Sequence, residues 1–398
     1  MLKEGKALRD FAFFKVIQTE EKQSKMVPGC FVQELLKELH SDIYHSYGDN
    51  YDFDMLGTPE ASIREKIKTR VRGFLRKRGL LSRNDVATLF TAIQPFIWFF
   101  HRFEVLYYSL ADAESRHLLI QIVAFRILGH EKVKLPLNNP EFWKQRSVLH
   151  GLAGSESLDS GPYRLPMMDL NWIGYPVRMY GTIPGAQNMF LLKQYEYKSG
   201  NVHVKSGKGD VVIDGGGAWG DTALYFAHEI GERGKVYPFE FIPSNLIVLE
   251  KNLGLNESLR KQIEVVNRPL WSKSDVALRF SDHGPSSRRS VDGTVGEQDS
   301  VEYFSITIDD FVRRQHLKKI DFIKMDIEGA EMEALRGAEK TLKKFKPKLA
   351  ISVYHSISDF VDVFEYVASQ NAGYRFYLGH YSIHWYETIL FAVCDPTS

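Results

Sequence analysis

The sequence predicts an α/β fold of the doubly wound, Rossmann-like kind, preceded by an α-helical N-terminal domain. Three observations predict it. The stretch Val211–Thr222 (VVIDGGGAWGDT) passes from three apolar strand residues through a glycine turn into a helix start. From Asp210 onward, short apolar runs alternate with segments of helical spacing. Before residue 150, by contrast, apolar residues recur at spacings of three and four with no strand-like alternation. The expected division is a helical N-terminal domain over 1–160 for substrate or oligomer contacts, a linker and lead-in over 161–209, and a cofactor-binding domain over 210–398.

The glycine turn comes first because the other elements are placed by it. Gly215, Gly216, Gly217 and Gly220 let the backbone turn sharply and let a ligand approach without a Cβ between them. Asp221 or Thr222 stands where it would cap the following helix. The spacing Gly215-x-Gly217-x-x-Gly220 satisfies the dinucleotide fingerprint, with Glu240 about 20 residues further on, where a carboxylate would accept both ribose hydroxyl hydrogens. Two cofactors therefore compete: a nicotinamide or flavin dinucleotide, and S-adenosylmethionine. Asp214 favours the second, since a carboxylate ending the strand repels a pyrophosphate and attracts an ammonium and a sulfonium. A structural turn without a ligand is the third reading.

Composition narrows the classes. The 398 residues are 44% hydrophobic, enough for two cores, and the net charge of +1 demands neither nucleic acid nor an anionic membrane. Cys30 and Cys394 lie near opposite ends without metal spacing, so no disulfide is expected and a reducing, cytoplasmic setting follows. The first residues lack the apolar run and cleavage site of a secretory signal. The most hydrophobic window, Ala92–Leu110, is interrupted by Gln94, Pro95, His101, Arg102 and Glu104, too broken to span a bilayer. A buried or dimer-facing helix is expected there instead.

In the N-terminal half, Phe31–Tyr47, Ala61–Leu81 and Asp112–Leu128 read as helices, and Ser82–Asp85 precede another running into Ile97. The second of these is strongly basic, either an anion-binding face or a solvated one. His150–Gly161 is small, polar and glycine-rich, the best linker in the chain. On the lead-in that follows, Gln187, Asn188, Gln194 and Tyr195 either cover a cofactor or merely pack.

In the C-terminal half, Val236–Phe241 is the second strand, Pro243-Ser244-Asn245 caps the next helix, and Ile263–Val266 is the third strand, with Asn267 placed to edge an adenine. Val276–Phe280 adds an antiparallel piece, and the polar stretch Asp282–Ser300 is either a lid or an inert insertion. Ile320–Ile327 is the fourth strand. Asp326, Glu328 and Glu331 cluster at its C-terminal end, where ligands of open α/β sheets bind. A preference for a positive helix N-terminus explains Glu328 and Glu331 but not Asp326. Pro347–His355 is the fifth strand, and His355 at its edge is either a proton acceptor or a core histidine. Tyr374–His380 and Glu387–Val393 suit a closing hairpin whose last strand is antiparallel.

These runs, in order VVIDGGGAWGDTALYFA, VYPFEFIPSN, DFIKMDIEGAEMEALRGA, PKLAISVYH and ETILFAV, resemble the FkbM family of S-adenosylmethionine-dependent methyltransferases over roughly Asp169–Val393. The resemblance implies a class I methyltransferase sheet of seven strands, the last antiparallel, and O-methylation of a sugar, polysaccharide or natural product. It also implies that Asp214, Gly215, Gly217 and Glu240 contact the cofactor and that Asp326 and Glu328 are active-site carboxylates. Taken together, the candidate cofactor set is Asp214, Gly215, Gly217, Gly220, Asp221, Thr222, Glu240, Asn245, Asn267 and Asp326. The candidate catalytic set is His355, Asp326 and Glu328, for an in-line displacement in which His355 takes the acceptor's proton. A divalent metal held by the carboxylates is the rival to that base, with no ligand motif assigned. The acceptor is expected to be a small molecule or glycan, and a homodimer through the N-terminal helices is plausible from their aromatic content. An NAD(P)-dependent oxidoreductase and a non-catalytic cofactor-binding module are the alternatives.

Overall fold

The structure, a computed structural model, describes residues 30–57, 92–285, 287 and 300–394. The basic helix expected at Ala61–Leu81, the segment Ser82–Asp85, the first 29 residues and most of the polar stretch after Asp282 lie outside the described residues.

Thirteen strands among the described residues are numbered in chain order. β1 (Ala153–Ser160), β2 (Tyr163–Asp169) and β3 (Arg178–Tyr180) form a small antiparallel sheet, and β4 (Tyr197–Ser199) pairs with β5 (Val202–Val204). The central strands are β6 (Val211–Gly215), β7 (Lys235–Phe239), β10 (Phe322–Met325), β11 (Lys348–Ser352), β12 (Tyr374–His380) and β13 (Thr388–Cys394). They form one mixed sheet in the order β12-β13-β11-β10-β6-β7. Between β6 and β10, β8 (Ala277–Ser281) and β9 (Ser300–Phe304) make a separate antiparallel hairpin, so the polar stretch is the connection of that hairpin.

The pairing follows from burial. β6, β10 and β11 are almost wholly enclosed, and their continuous apolar runs suit parallel strands covered on both faces. β6 pairs in parallel with β7 and β10, and β10 with β11, whereas β13 runs antiparallel to both β11 and β12. The sheet has six strands among the described residues rather than seven. Ile263–Val266, expected as a strand, lies beside β7 and makes two isolated bridges, Val236 to Ile263 and Phe239 to Val266. Pro238 sits between them, and its missing N–H interrupts the ladder.

The N-terminal helices pack into the same core. Phe31–Asp42, Phe100–Ser109 and Ala113–Leu128 contribute Phe31, Phe103, Leu106 and Phe125 to a cluster that also holds Ile213, Ile323 and Leu349 of the central strands. Ala113–Leu128 is apolar on almost every face, and its start is capped by the Asp112 carboxylate, which accepts from Ser115 N at 2.8 Å. No helix among the described residues is long and apolar enough to cross a membrane.

Three local expectations are corrected. His150–Gly161 is not a linker: the helix Pro140–Leu152 continues into β1, which pairs with β2 through backbone hydrogen bonds. The helix Asp221–Ile230 begins at Gly220 with φ +85° and no side-chain cap, because Thr222 turns its hydroxyl inward to Asp214. Ile242 stands at the start of the helix Pro243–Gly254, with Pro243 in its first turn. Ser244 bonds Asp282 and Asn245 bonds Glu240 instead of capping it.

Candidate functional site

The glycine turn closes over the ends of β7 and β10. Gly216, with φ +83°, passes so near the next strand that a Cβ there would lie 2.0 Å from the Asp326 carbonyl oxygen. A Cβ on Gly217 would lie 2.9 Å from Pro238 Cβ. Both positions therefore exclude any side chain. Gly215 and Gly220 are less tight, with their nearest atoms at 3.2 Å from an added Cβ.

Asp214 does not face a ligand. Its carboxylate is fully enclosed, and Lys324 Nζ lies 3.0 Å from Oδ1 while Thr222 donates to Oδ2 at 2.6 Å. The two residues are direct neighbours in the β6–β10 register. Lys324 Nζ also donates to the Gly215 and Gly216 carbonyls at 3.0 and 2.6 Å. The pair thus ties down the turn from beneath, and its charges cancel each other. The inference that Asp214 attracts a cation and repels a phosphate is overturned by Lys324, a charge two residues before Asp326 on an apolar strand. Asp221 is half-buried in the first turn of its helix, and burial raises its pKa.

Above the turn opens a cleft of about 590 Å³, a figure that includes the solvent it opens into. Gly216, Ala218, Glu240, Asn245, Asp326 and Glu328 all line it. Glu240 sits just past β7, where Oε1 accepts from Phe241 N at 2.7 Å and Ile242 N at 2.8 Å, and Oε2 from Asn245 Nδ2 at 3.1 Å. Burial raises its pKa to about 7 despite these donors. Asn245 is buried, and its Oδ1 has no hydrogen-bond partner. Asn267, expected at the adenine edge, is exposed and lies outside the cleft; Arg268, Pro269 and Leu270 line it instead.

At the ends of β10 and β11 the charged groups converge. Asp326 Oδ1 meets His355 Nε2 at 3.1 Å and the Tyr354 hydroxyl at 3.2 Å, and Oδ2 accepts from the Tyr195 hydroxyl at 3.2 Å. His355 Nε2 is also 3.3 Å from Glu331 Oε1, and its Nδ1 is 3.8 Å from Glu328 Oε2. Burial opposes charge on Asp326, but the His355 hydrogen bond and the nearby positive charges hold its pKa below the usual range. Burial likewise opposes charge on His355, yet Asp326 and Glu331 hold its pKa up at about 11. Its Nε2 is turned to the Asp326 and Glu331 carboxylates, which favour the protonated ring over one that takes a substrate's proton. The expectation that it is the base is corrected on that ground.

Of the lead-in residues, Tyr195 reaches the cluster and Gln194 donates to Glu387. Gln187 does not reach it: Arg146 donates to its Oε1, and its own amide donates to the Phe142 carbonyl at 2.7 Å. Lys324, Tyr354 and Glu387 were outside the expected set. Lys324 was visible as a lone charge within FIKM, whereas nothing in the sequence marks Glu387, which the fold holds at φ +62° beside the cluster. Burial, with Asp326 nearby, pushes the Glu387 carboxyl up to about 8.

The family profile described as Methyltransferase FkbM domain matches residues 202–376. Among solved structures, the chain is similar to methyltransferase FkbM from Methylobacillus flagellatus KT, with 20% identity and a TM-score of 0.48 over 75% of this chain and 60% of that one. It is also similar to Aeropyrum pernix fibrillarin in complex with natively bound S-adenosyl-L-methionine, at 12% identity and a TM-score of 0.31, over 60% of this chain and 99% of that one. A third is a SAM-dependent O-methyltransferase from Thermotoga maritima, at 12% identity and a TM-score of 0.32, over 61% and 86% of the two chains. No curated protein matches the chain. The matched span runs from β5 to the start of β12 and carries the glycine turn, Glu240 and the strand-end carboxylates, so these residues form a methyltransferase FkbM domain.

Proposed function

We propose that the chain is an S-adenosylmethionine-dependent O-methyltransferase whose acceptor is a hydroxyl of a sugar, polysaccharide or natural product. The observation that carries this reading is the single cleft shared by the side-chain-free turn at Gly216, the ribose-type carboxylate Glu240 and the carboxylates Asp326 and Glu328. The residues fit the cofactor: Gly216 presents bare backbone to the cleft, and Asn245 Oδ1 is a buried acceptor awaiting a donor. When bound, S-adenosylmethionine supplies a methyl group already activated toward a nucleophile.

The chain's own residues then position the acceptor. Glu240 in its ionised form accepts hydrogens from a vicinal diol. Asp326 receives hydrogen bonds from His355, Tyr354 and Tyr195, which hold its carboxylate rigid at the cleft wall. An acceptor hydroxyl donating to that carboxylate is oriented for in-line attack. His355 acts as a fixed positive partner that keeps Asp326 ionised.

The test pairs binding with turnover. Calorimetry should show S-adenosylmethionine binding that NAD does not compete away, and labelled methyl should reach hydroxylated acceptors in a panel of sugars and glycans. Asp326→Asn should lower transfer by 100-fold or more while leaving cofactor affinity within a few-fold. Tighter binding of NAD than of S-adenosylmethionine would defeat the proposal.

A further inference from the structure

From the donor geometry at the ends of β10 and β11 we infer a divalent-cation site formed by Asp326, Glu331 and His355. It rests on the methyl-transfer reading only for its use, which is to hold the acceptor oxygen. The three ligands come from separate elements: Asp326 follows β10, Glu331 opens the helix Glu331–Arg336, and His355 follows β11. One donor atom from each lies within 4.8 Å of the others, and His355 Nε2 stands 3.1 Å from Asp326 Oδ1 and 3.3 Å from Glu331 Oε1. A cation among atoms so spaced sits about 2 Å from each, the ordinary bond length from a transition-metal dication to imidazole nitrogen and carboxylate oxygen. The hydrogen that Nε2 directs at the two carboxylates occupies the place such an ion would take.

Three further features suit a cation. The ligands are braced from behind, Asp326 by the Tyr195 and Tyr354 hydroxyls and Glu331 by the Ile327 amide at 2.8 Å, as outer-shell partners brace metal ligands elsewhere. Glu328 adds a third carboxylate 3.8 Å from the imidazole, so one ring faces three acids. Asp326 also lines the cleft, which leaves coordination positions open toward an acceptor. The mixed set of one nitrogen and two carboxylates selects Mn²⁺ and its neighbours over Mg²⁺, which prefers oxygen and water.

The full chain, stripped with a chelator, should take up one Mn²⁺ in a titration followed by the electron paramagnetic resonance of the free ion. Zn²⁺ or Co²⁺ should displace it. With ¹⁵N-labelled histidine, the bound ion should show a coupling to imidazole nitrogen. Glu331→Gln and His355→Ala should each weaken Mn²⁺ by 10-fold or more. S-adenosylmethionine affinity, measured on the same stripped samples, should hold and report that they are folded. Saturable S-adenosylmethionine binding without uptake of Mn²⁺, Zn²⁺ or Co²⁺ would overturn the site and leave the cofactor reading intact. Metal uptake without S-adenosylmethionine binding would do the reverse. Mn²⁺ that binds with no nitrogen coupling, or equally in folded variants, also overturns it.

Discussion

At residue scale, Lys324 has the largest consequence for its size. Its ammonium and the Asp214 carboxylate are both buried, and each cancels a charge that could not otherwise remain there. Lys324→Met removes one partner and leaves the other charged and enclosed, so it should cost about 3–5 kcal/mol in chemical denaturation. Adding Asp214→Asn to it should restore at least half of that loss, since both buried charges are then gone. A single variant as stable as the parent would show that the pair is not what tethers the turn. Gly216→Ala is the companion case. A methyl group 2.0 Å from the Asp326 carbonyl must push β10 and the turn apart, and φ +83° strains alanine as well. The expected loss is more than about 2 kcal/mol, together with loss of cofactor binding in calorimetry.

At the scale of elements, the strand ends decide what titrates. Glu240 has an ordinary carboxyl pKa when unfolded and one of about 7 when folded, because burial at the end of β7 outweighs its donors. The folded state therefore holds a proton that the unfolded chain has already lost between about pH 4.5 and 7. Stability from this group is present below the unfolded pKa and falls as pH rises through that window, by up to about 3 kcal/mol. Glu240→Gln should flatten that component in melts run across the range, since Asn245 can turn its unpartnered Oδ1 toward the new amide. A parent and variant with identical pH slopes would refute the assignment. The elements themselves were largely legible, because β6 and β10 are apolar runs ended by acids or glycines and β11 is one followed by Tyr354 and His355. The pairing of Asp214 with Lys324 was not, since only the β6–β10 register brings residues 110 apart into contact. Separation in sequence also hid the meaning of His355: a histidine at a strand end reads as a base until the two carboxylates that hold its proton are seen.

For the whole molecule, the N-terminal helices bear on a site gathered around the strand ends of the sheet. Arg126, in the last turn of Ala113–Leu128, supplies the connection. Its guanidinium donates to the Tyr354 carbonyl at 2.6 Å and the Trp385 carbonyl at 3.1 Å, and it lies over the Phe360 and Trp385 rings. Burial draws its pKa down to about 10, so it stays charged at neutral pH. The loop after β11, which carries Tyr354 and His355, is thereby held to the helix layer. Arg126→Leu keeps the apolar packing and removes the donors, leaving two carbonyls short of a partner, at a cost of about 1–3 kcal/mol. Because the Tyr354 hydroxyl and His355 position Asp326, methyl transfer should fall 10-fold or more. Glu240 is held by Phe241, Ile242 and Asn245 rather than by that loop, so cofactor affinity should change less than threefold. The measurement is kcat beside the S-adenosylmethionine Kd in the same variant. Equal losses in both would mean that Arg126 supports the fold generally rather than the loop that sets Asp326.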